Sequence, residues 1–274
     1  MNAQEIILKQ LNDGTVITLQ DLQDILLSMM KDVDQVLRRH NIPYFLNGGS
    51  ALGAYRHQGF IPWDDDIDIA MMMDDFTKAI PILEKELEDK YIIHCFETKT
   101  CYNVLIPGMK IRLKNTRIEE VNELLSNKCK DSDGIFIDVF VYSKVNASKI
   151  KDLPLRLVNQ ALMPIIVFFE NLNINPVLIK KWFKWNAKVY HQLNQQSHWV
   201  GFDLTWTFKS AFKPFVFKEE DIFPCKEMDF EGERFFVPKN IETYLETAIA
   251  PTFRELPPEN QRKPKHLKDI EIKA

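Results

Sequence analysis

The chain lacks any excess of basic charge. Its 274 residues carry 35 Lys and Arg against 39 Asp and Glu, a formal net charge of -4. That argues against nucleic-acid binding through a broad basic patch. A phosphorylated ligand would have to meet a metal ion or a few local cations instead. Cysteine is also scarce. Cys95, Cys101, Cys129 and Cys225 include no CxxC pair and have no histidine at zinc-finger spacing. They are expected to be free thiols in a reducing compartment. No long apolar run is present: the most apolar stretch, Leu162 to Phe169, spans about eight residues, whereas a membrane-spanning helix needs about 20. Met1-Asn2-Ala3-Gln4-Glu5 has neither the basic start nor the apolar run of a signal peptide. These absences lead to the expectation of a cytoplasmic protein. Docking at the inner face of a membrane is compatible with them.

What is present fits an ordinary globular chain, 45% apolar and 27% charged, long enough for one large domain or a catalytic domain with an integrated second lobe. Leu19, Leu22, Ile25, Leu26, Met29, Met30, Val33, Val36 and Leu37 recur at helical steps, so the spacing predicts a helix over 19–40, capped by Thr18 and ended by Asn41-Ile42-Pro43. Strands are expected at 44–46, 67–72, 91–96, 104–113 and 134–142, and helices at 51–57 and 75–90. Helix is expected to dominate from about 147 to 196, before a mixed, aromatic- and proline-rich final segment. The order implies an α+β fold: a small mixed β-sheet flanked by helices, with a helical C-terminal lobe. The boundary is placed between a catalytic core, 1–145, and a region completing the site, 146–274.

The densest chemical signal lies between Asn47 and Asp68. Asp64, Asp65, Asp66 and Asp68 fall within five positions. Strand alternation points Asp66 and Asp68 the same way, while Ile67 and Ile69 point into the core. Two such carboxylates about 4 Å apart repel by about 4 kcal/mol at an effective dielectric near 20, so a cation or a shared proton must offset them. Hard oxygen ligands favour Mg²⁺ or Mn²⁺. A solvated turn of acids is the plainer alternative; an EF-hand loop lacks its mid-loop Gly and closing Glu. Upstream, Gly48-Gly49-Ser50 follows a strand and opens a helix, where free amides can meet phosphate. Asp138, inside the apolar run Ile135 to Val141, needs a partner if buried. It could complete a carboxylate triad as a ligand or as a general base. Arg56, Lys110 and Arg112 are candidate phosphate partners, with a plain surface cation as the alternative for each. Roles for His57 and Trp63 stay open.

The run GGSALGAYRHQGFIPWDDDIDIAM, starting at Gly48, resembles the signature of the LicD family, in the nucleotidyltransferase superfamily of the DNA polymerase beta type and distantly like fukutin. The segment Lys110 to Thr116 resembles the family's KxRxxNT, and Gly134 to Phe140 its IDIFP-like strand. Phe223-Pro224, Phe230-Glu231-Gly232 and Val237-Pro238 resemble its FP…FEG…VP stretch. Leu256 to Arg262 resembles LPPxxxR, and His266 lies near its closing His. The chain departs from the pattern at Ala248 to Phe253, at Met71 to Phe76 and at Val141 to Ser143. The resemblance implies an enzyme that moves a phospho-alcohol, phosphocholine from CDP-choline in the first instance, to a hydroxyl of a cell-surface glycan or glycolipid such as lipopolysaccharide or teichoic acid, releasing CMP. Asp66, Asp68 and Asp138 would bind the metal and carry catalysis; Gly48, Gly49, Ser50, Arg56, Lys110, Arg112 and His266 would contact substrate. Nucleotidyl transfer from an NTP with release of pyrophosphate, and an inactive binding module of the same fold, are the rival readings.

Overall fold

The computed structural model describes residues 3–121, 128–131, 133–146, 148–205 and 215–272. Met1, Asn2 and Ala147, which enter the expectations above, lie outside them. The first long helix, α1 (Leu19–Arg39), follows a short hairpin of β1 (Ile7–Gln10) and β2 (Val16–Thr18). Thr18 and Asp21 form a reciprocal capping box at its start. The periodic face predicted for α1 is its buried face, with Leu19, Leu22, Met30, Val33 and Leu37 fully inside.

A seven-stranded sheet forms the centre. Its middle strand, β8 (Phe136–Lys144), is buried from Phe136 to Ser143. The segment β4 (Asp68–Met72) lies parallel to it, with Asp68 opposite Asp138 and Met72 opposite Tyr142. The short β3 (Phe45–Leu46) runs antiparallel beyond β4. On the other side of β8, β6 (Met109–Leu113) pairs with its first half and β9 (Trp199–Phe202) with its second. Strands β5 (Tyr91–Cys95) and β10 (Phe217–Lys218) extend these two arms. Helices α2 (Gly48–His57) and α3 (Met73–Glu86) flank β4 in sequence. This is the α+β mixed sheet that the order of elements implied.

Helix α3 ends four residues short of the expected 90 and β8 runs two residues later than expected; three further shifts have a local reason. The strand expected from Val104 begins only at Met109. Before it, the Tyr102 hydroxyl donates to the Pro107 carbonyl (2.6 Å) and the Leu105 amide to the Asn103 side chain (3.0 Å), closing a turn. The helical region divides into α4 (Lys149–Asn171) and α5 (Val177–Leu193), interrupted before Pro176. Helix α2 starts three residues early, at Gly48, so the glycine pair sits in its first turn.

The free-thiol expectation is corrected for two cysteines. Cys101 and Cys129, 28 residues apart, form a disulfide with Cα atoms 5.3 Å apart. Sequence spacing could not show this, because contacts such as those of Asp131 with His94 and Lys99, both 3.0 Å, bring the two segments together only in the fold. Cys95 and Cys225 are free thiols, and burial pushes both up to about 12.

The end of the chain returns to its beginning. β11 (Lys226–Phe230) and β12 (Glu233–Val237) form a hairpin. Helices α6 (Glu219–Ile222) and α7 (Ile241–Ala248) bracket it. The last strand, β13 (Leu267–Ile272), pairs with β7 (Thr116–Glu120), which sets residues 265–267 beside the acidic run.

Candidate active site

The site begins at the turn into α2. Buried Asn47 accepts hydrogen bonds from the hydroxyls of Tyr244 (2.8 Å) and Tyr142 (3.1 Å). This ties α7 and β8 to one side chain. Gly48 takes φ +51°, a left-handed conformation that favours glycine. Its amide donates to the Tyr244 hydroxyl at 2.9 Å. A Cβ on Gly49 would stand 3.0 Å from Asp64 Oδ2, so the bare backbone is what lets the helix start approach the acids. The Ser50 hydroxyl accepts from the Asp68 amide at 2.8 Å, linking the helix start directly to β4.

Asp68 and Asp138 are register partners on adjacent parallel strands, and Lys110 is the register partner of Asp138 on its other side. A row therefore runs Asp68, Asp138, Lys110 across one face of the sheet. Lys110 Nζ lies 3.0 Å from Asp138, 3.3 Å from Glu120 and 3.2 Å from the centre of the Phe136 ring. Arg112 is fully buried against Glu120 (3.2 Å) and the Gly134 carbonyl (3.0 Å). It reaches the acids only by way of Glu120 and Lys110.

Asp65 and Asp66 meet the C-terminal segment. Asp65 is buried and accepts from the amides of Lys265 (3.3 Å), His266 (3.0 Å) and Leu267 (2.8 Å). His266 Nδ1 lies 3.2 Å from Asp65 and 2.9 Å from Asp66. Ligand atoms of Asp65, Asp66 and His266 all fall within 4.8 Å of one another; Asp68 and Asp138 stand outside this tight group. Three amides saturate Asp65, so it acts as a latch for residues 265–267. Asp66 and the row beyond it keep oxygens for a ligand.

The electrostatics are those of too many like charges in one place. Burial, and then the Asp66 carboxylate, push Asp64 and Asp68 well above the usual carboxylate range. Burial also raises Asp138, to about 6, although Lys110 works against it. Burial opposes ionisation of Asp65 too, yet its hydrogen bonds with His266 and the amides prevail and hold it below its ordinary value. Hydrogen bonds to Asp65 and Asp66 raise His266 to about 12. Carboxylate oxygens in such excess over the cations that touch them suit a hard divalent ion such as Mg²⁺ or Mn²⁺.

Arg56 stands at the edge of this cleft. It donates to the carbonyls of Phe253 (3.2 Å) and Glu255 (3.1 Å) and to His57 (3.0 Å). Burial lowers its pKa and Arg262 adds to that, while Asp64 opposes. Trp63 is buried, edge-on to His57, with the Arg262 guanidinium 5.6 Å from its ring centre. Sequence reasoning left Asp64, Asp65, Glu120 and Arg262 out of the site. Asp64 shares the even-numbered parity of Asp66 and Asp68, so alternation could have included it. Nothing local marks Glu120.

Residues 41–161, which hold α2, the acids and the Asp138 strand, match the family described as LicD/FKTN/FKRP, nucleotidyltransferase domain. The chain carries a LicD family domain. Beyond that domain, it is 25% identical over 280 residues to the lipopolysaccharide cholinephosphotransferase LicD of Haemophilus influenzae, covering 93% of this chain and 98% of that protein. It is 48% identical over 40 residues to the human ribitol 5-phosphate transferase FKRP, covering 15% of this chain and 8% of that protein. An uncharacterized Rickettsia prowazekii protein, RP689, is 34% identical over 101 residues, 30% of this chain and 38% of its own length. At 93% of this chain, the stretch shared with LicD is long enough that it must include the acids.

Proposed function

We propose that this LicD-type chain transfers a phospho-alcohol group from a CDP-alcohol, CDP-choline in the first instance, to a hydroxyl of a cell-surface glycan or glycolipid, releasing CMP. The observation that carries the reading is the alignment of Asp68 with Asp138 on parallel strands beside Asp66, at the glycine start of a helix. The two named relatives, a cholinephosphotransferase and a ribitol 5-phosphate transferase, both move substituted phosphate groups.

Asp66, Asp68 and Asp138 would hold Mg²⁺ or Mn²⁺, which neutralises the donor diphosphate and the departing CMP when bound. The protein's own groups do the rest. The Gly48 amide is engaged by Tyr244, so phosphate contact falls to the Gly49 amide and the Ser50 hydroxyl. Arg56 lies at the rim, where its charge reaches Asp64. Lys110 orients the Asp138 carboxylate, which takes the proton of the acceptor hydroxyl. The acceptor oxygen forms a new bond to the phosphorus that bears the alcohol. The bond from that phosphorus to the bridging oxygen breaks, and the oxygen leaves with CMP. His266 holds Asp66 in place from the far side.

The test is incubation of the purified chain with Mg²⁺, CDP-choline, CDP-ribitol or CDP-glycerol, and a glycan acceptor. CMP formed in proportion to modified acceptor supports the reading. Pyrophosphate from an NTP would replace it with nucleotidyl transfer, and no turnover with tight CDP binding would leave a binding module.

A further inference from the structure

The α4–α5 hairpin buries Leu162, Ile166 and Phe183, as an amphipathic pair of helices should, but it also buries its acids. Between residues 149 and 193 the chain has two acids, Asp152 and Glu170, and both are buried. Asp152 faces Arg156 (3.7 Å) and the Tyr190 hydroxyl; Glu170 pairs with Lys180 at 2.6 Å. Asn159 and Asn186 join the helices between these pairs at 2.8 Å. The outer face is apolar instead. Leu157, Ile165 and Phe168 project from α4, with Phe168 60% exposed. Leu172 and Ile174 project from the turn, and Leu178, Trp182 and Trp185 from α5, with Leu178 81% exposed. A water-soluble surface helix keeps such side chains inside, and this many exposed large apolar side chains on one hairpin mark an interaction surface.

The charged groups that the hairpin itself exposes are cationic, while the exposed acids Asp74 and Glu97 border its Trp185 end from other elements, Glu97 in a pair with Lys184. Lys181 and Lys188 are exposed on α5 and form no ion pair among the described residues. Lys128 and Lys130 line a groove at the hairpin tip together with Cys101, Ile174 and Lys180. The Cys101–Cys129 disulfide and the Lys180 bonds to the carbonyls of Thr100, Cys101 and Tyr102 pin that basic segment beside the turn.

We infer that this face docks the protein onto an anionic lipid bilayer, with the hairpin lying in the headgroup layer rather than crossing it. Apolar side chains flanked by tryptophan and lysine, with both of the hairpin's own acids buried, suit the interface between acyl chains and negative headgroups. α4 is long and apolar enough to span a membrane by length and composition. Insertion, however, would separate Asp152, Arg156 and Glu170 from their α5 neighbours. A second copy fits poorly, because a two-fold contact through this face would cover Lys181 and Lys188 of both copies while the hairpin's own acids, Asp152 and Glu170, stay buried and paired. The surface shares no side chain with the acidic cleft, so it stands or falls apart from the transfer reaction.

Vesicle flotation of the full chain tests this, using phosphatidylcholine alone and phosphatidylcholine mixed with phosphatidylglycerol. The chain is expected to float with the mixed vesicles. Phe168→Gln/Leu172→Gln/Trp182→Gln should weaken that binding by at least about tenfold with unchanged circular dichroism. Lys181→Glu/Lys188→Glu should remove the preference for the anionic vesicles, again by about tenfold or more. Failure of the parent to float with either vesicle overturns the inference. So does equal flotation of the triple variant, or a parent dimer in light scattering that the triple variant dissolves while vesicles bind neither.

Discussion

Buried charge gathers in two regions of this molecule, with opposite arrangements. In the α4–α5 seam each buried acid faces a buried base: Asp152 with Arg156, Glu170 with Lys180. In the cleft, Asp64, Asp66, Asp68 and Asp138 face one another, and Lys110 and His266 touch only its margins. The Glu170–Lys180 pair holds two helices in register, while Asp152 and Arg156 pair within α4 and reach α5 through Tyr190. Converging like charges destabilise the fold unless something binds between them, and it is the second arrangement that points to function.

The sharpest way to break this comparison is to remove one charge from each region. Asp68→Asn should lower transfer activity by at least about a thousandfold. The metal-free melting temperature should stay level or rise, because a repelling carboxylate is gone. Full activity in that variant would remove Asp68 from the chemistry. Glu170→Gln should do the reverse. It leaves Lys180 buried without its counter-charge, so stability should fall by about 3–5 kcal/mol. Replacing both partners, Glu170→Met/Lys180→Met, should recover most of the loss. Chemical denaturation of the three variants measures this, and a double variant as weak as the single would show that the pair is more than charge.

A pH series sharpens the same contrast. Asp138 sits near 6 in the folded chain, above the ordinary aspartate value. A raised acid binds its proton more tightly folded than unfolded, so its contribution to stability falls as pH rises from about 4 to 6. Asp64 and Asp68 push in the same direction. His266 titrates outside that window, since its stabilisation is complete below its unfolded pKa of about 6.5 and is lost as pH climbs toward 12. In chelator, the melting temperature should therefore drop between pH 4 and 6. Millimolar Mg²⁺ should offset the drop in the parent and much less in Asp68→Asn. A melting curve indifferent to Mg²⁺ at pH 7 would count against the cleft as a cation site.

Local rules made much of the fold legible and left the long-range contacts hidden. Thr18 and the α1 face were readable because capping and helical periodicity are properties of neighbouring residues. The Asp68 and Asp138 strands were readable from alternation, and their β4–β8 pairing joins two segments that already looked like strands. The turn at Tyr102 to Pro107 was not, because the hydrogen bonds that close it compete with an apolar run of strand-like residues. The Asp65 latch links residues 200 and more apart, and no local pattern announces it. Lys110 and Arg112 read as free cations until Glu120 and Asp138 were placed beside them. The disulfide escaped for the same reason.

That disulfide supplies a smaller effect. Closing a loop of 28 residues restricts the unfolded chain by about 3.6 kcal/mol. Reductant, or Cys129→Ser, should lower stability by roughly that amount. The transfer rate should hold, because neither cysteine lies among the acids. Flotation on anionic vesicles should weaken as Lys128 and Lys130 lose their anchor. Labelling with a thiol reagent under denaturing conditions counts the free cysteines and checks the bond itself.

The smallest expected change tests whether burial, rather than charge, separates the two regions from the rest of the surface. Lys31 and Glu233 form an ion pair at 2.5 Å, with side chains 51% and 40% exposed. Its geometry is as close as that of Glu170 and Lys180, yet water already solvates both partners and side-chain entropy opposes the contact. Lys31→Ala should therefore change stability by less than about 1 kcal/mol, with no effect on transfer or flotation. A loss as large as that of Glu170→Gln would mean that contact distance, not removal from water, sets the worth of these pairs. The distinction between the seam and the cleft would then have to be drawn from geometry instead of from desolvation.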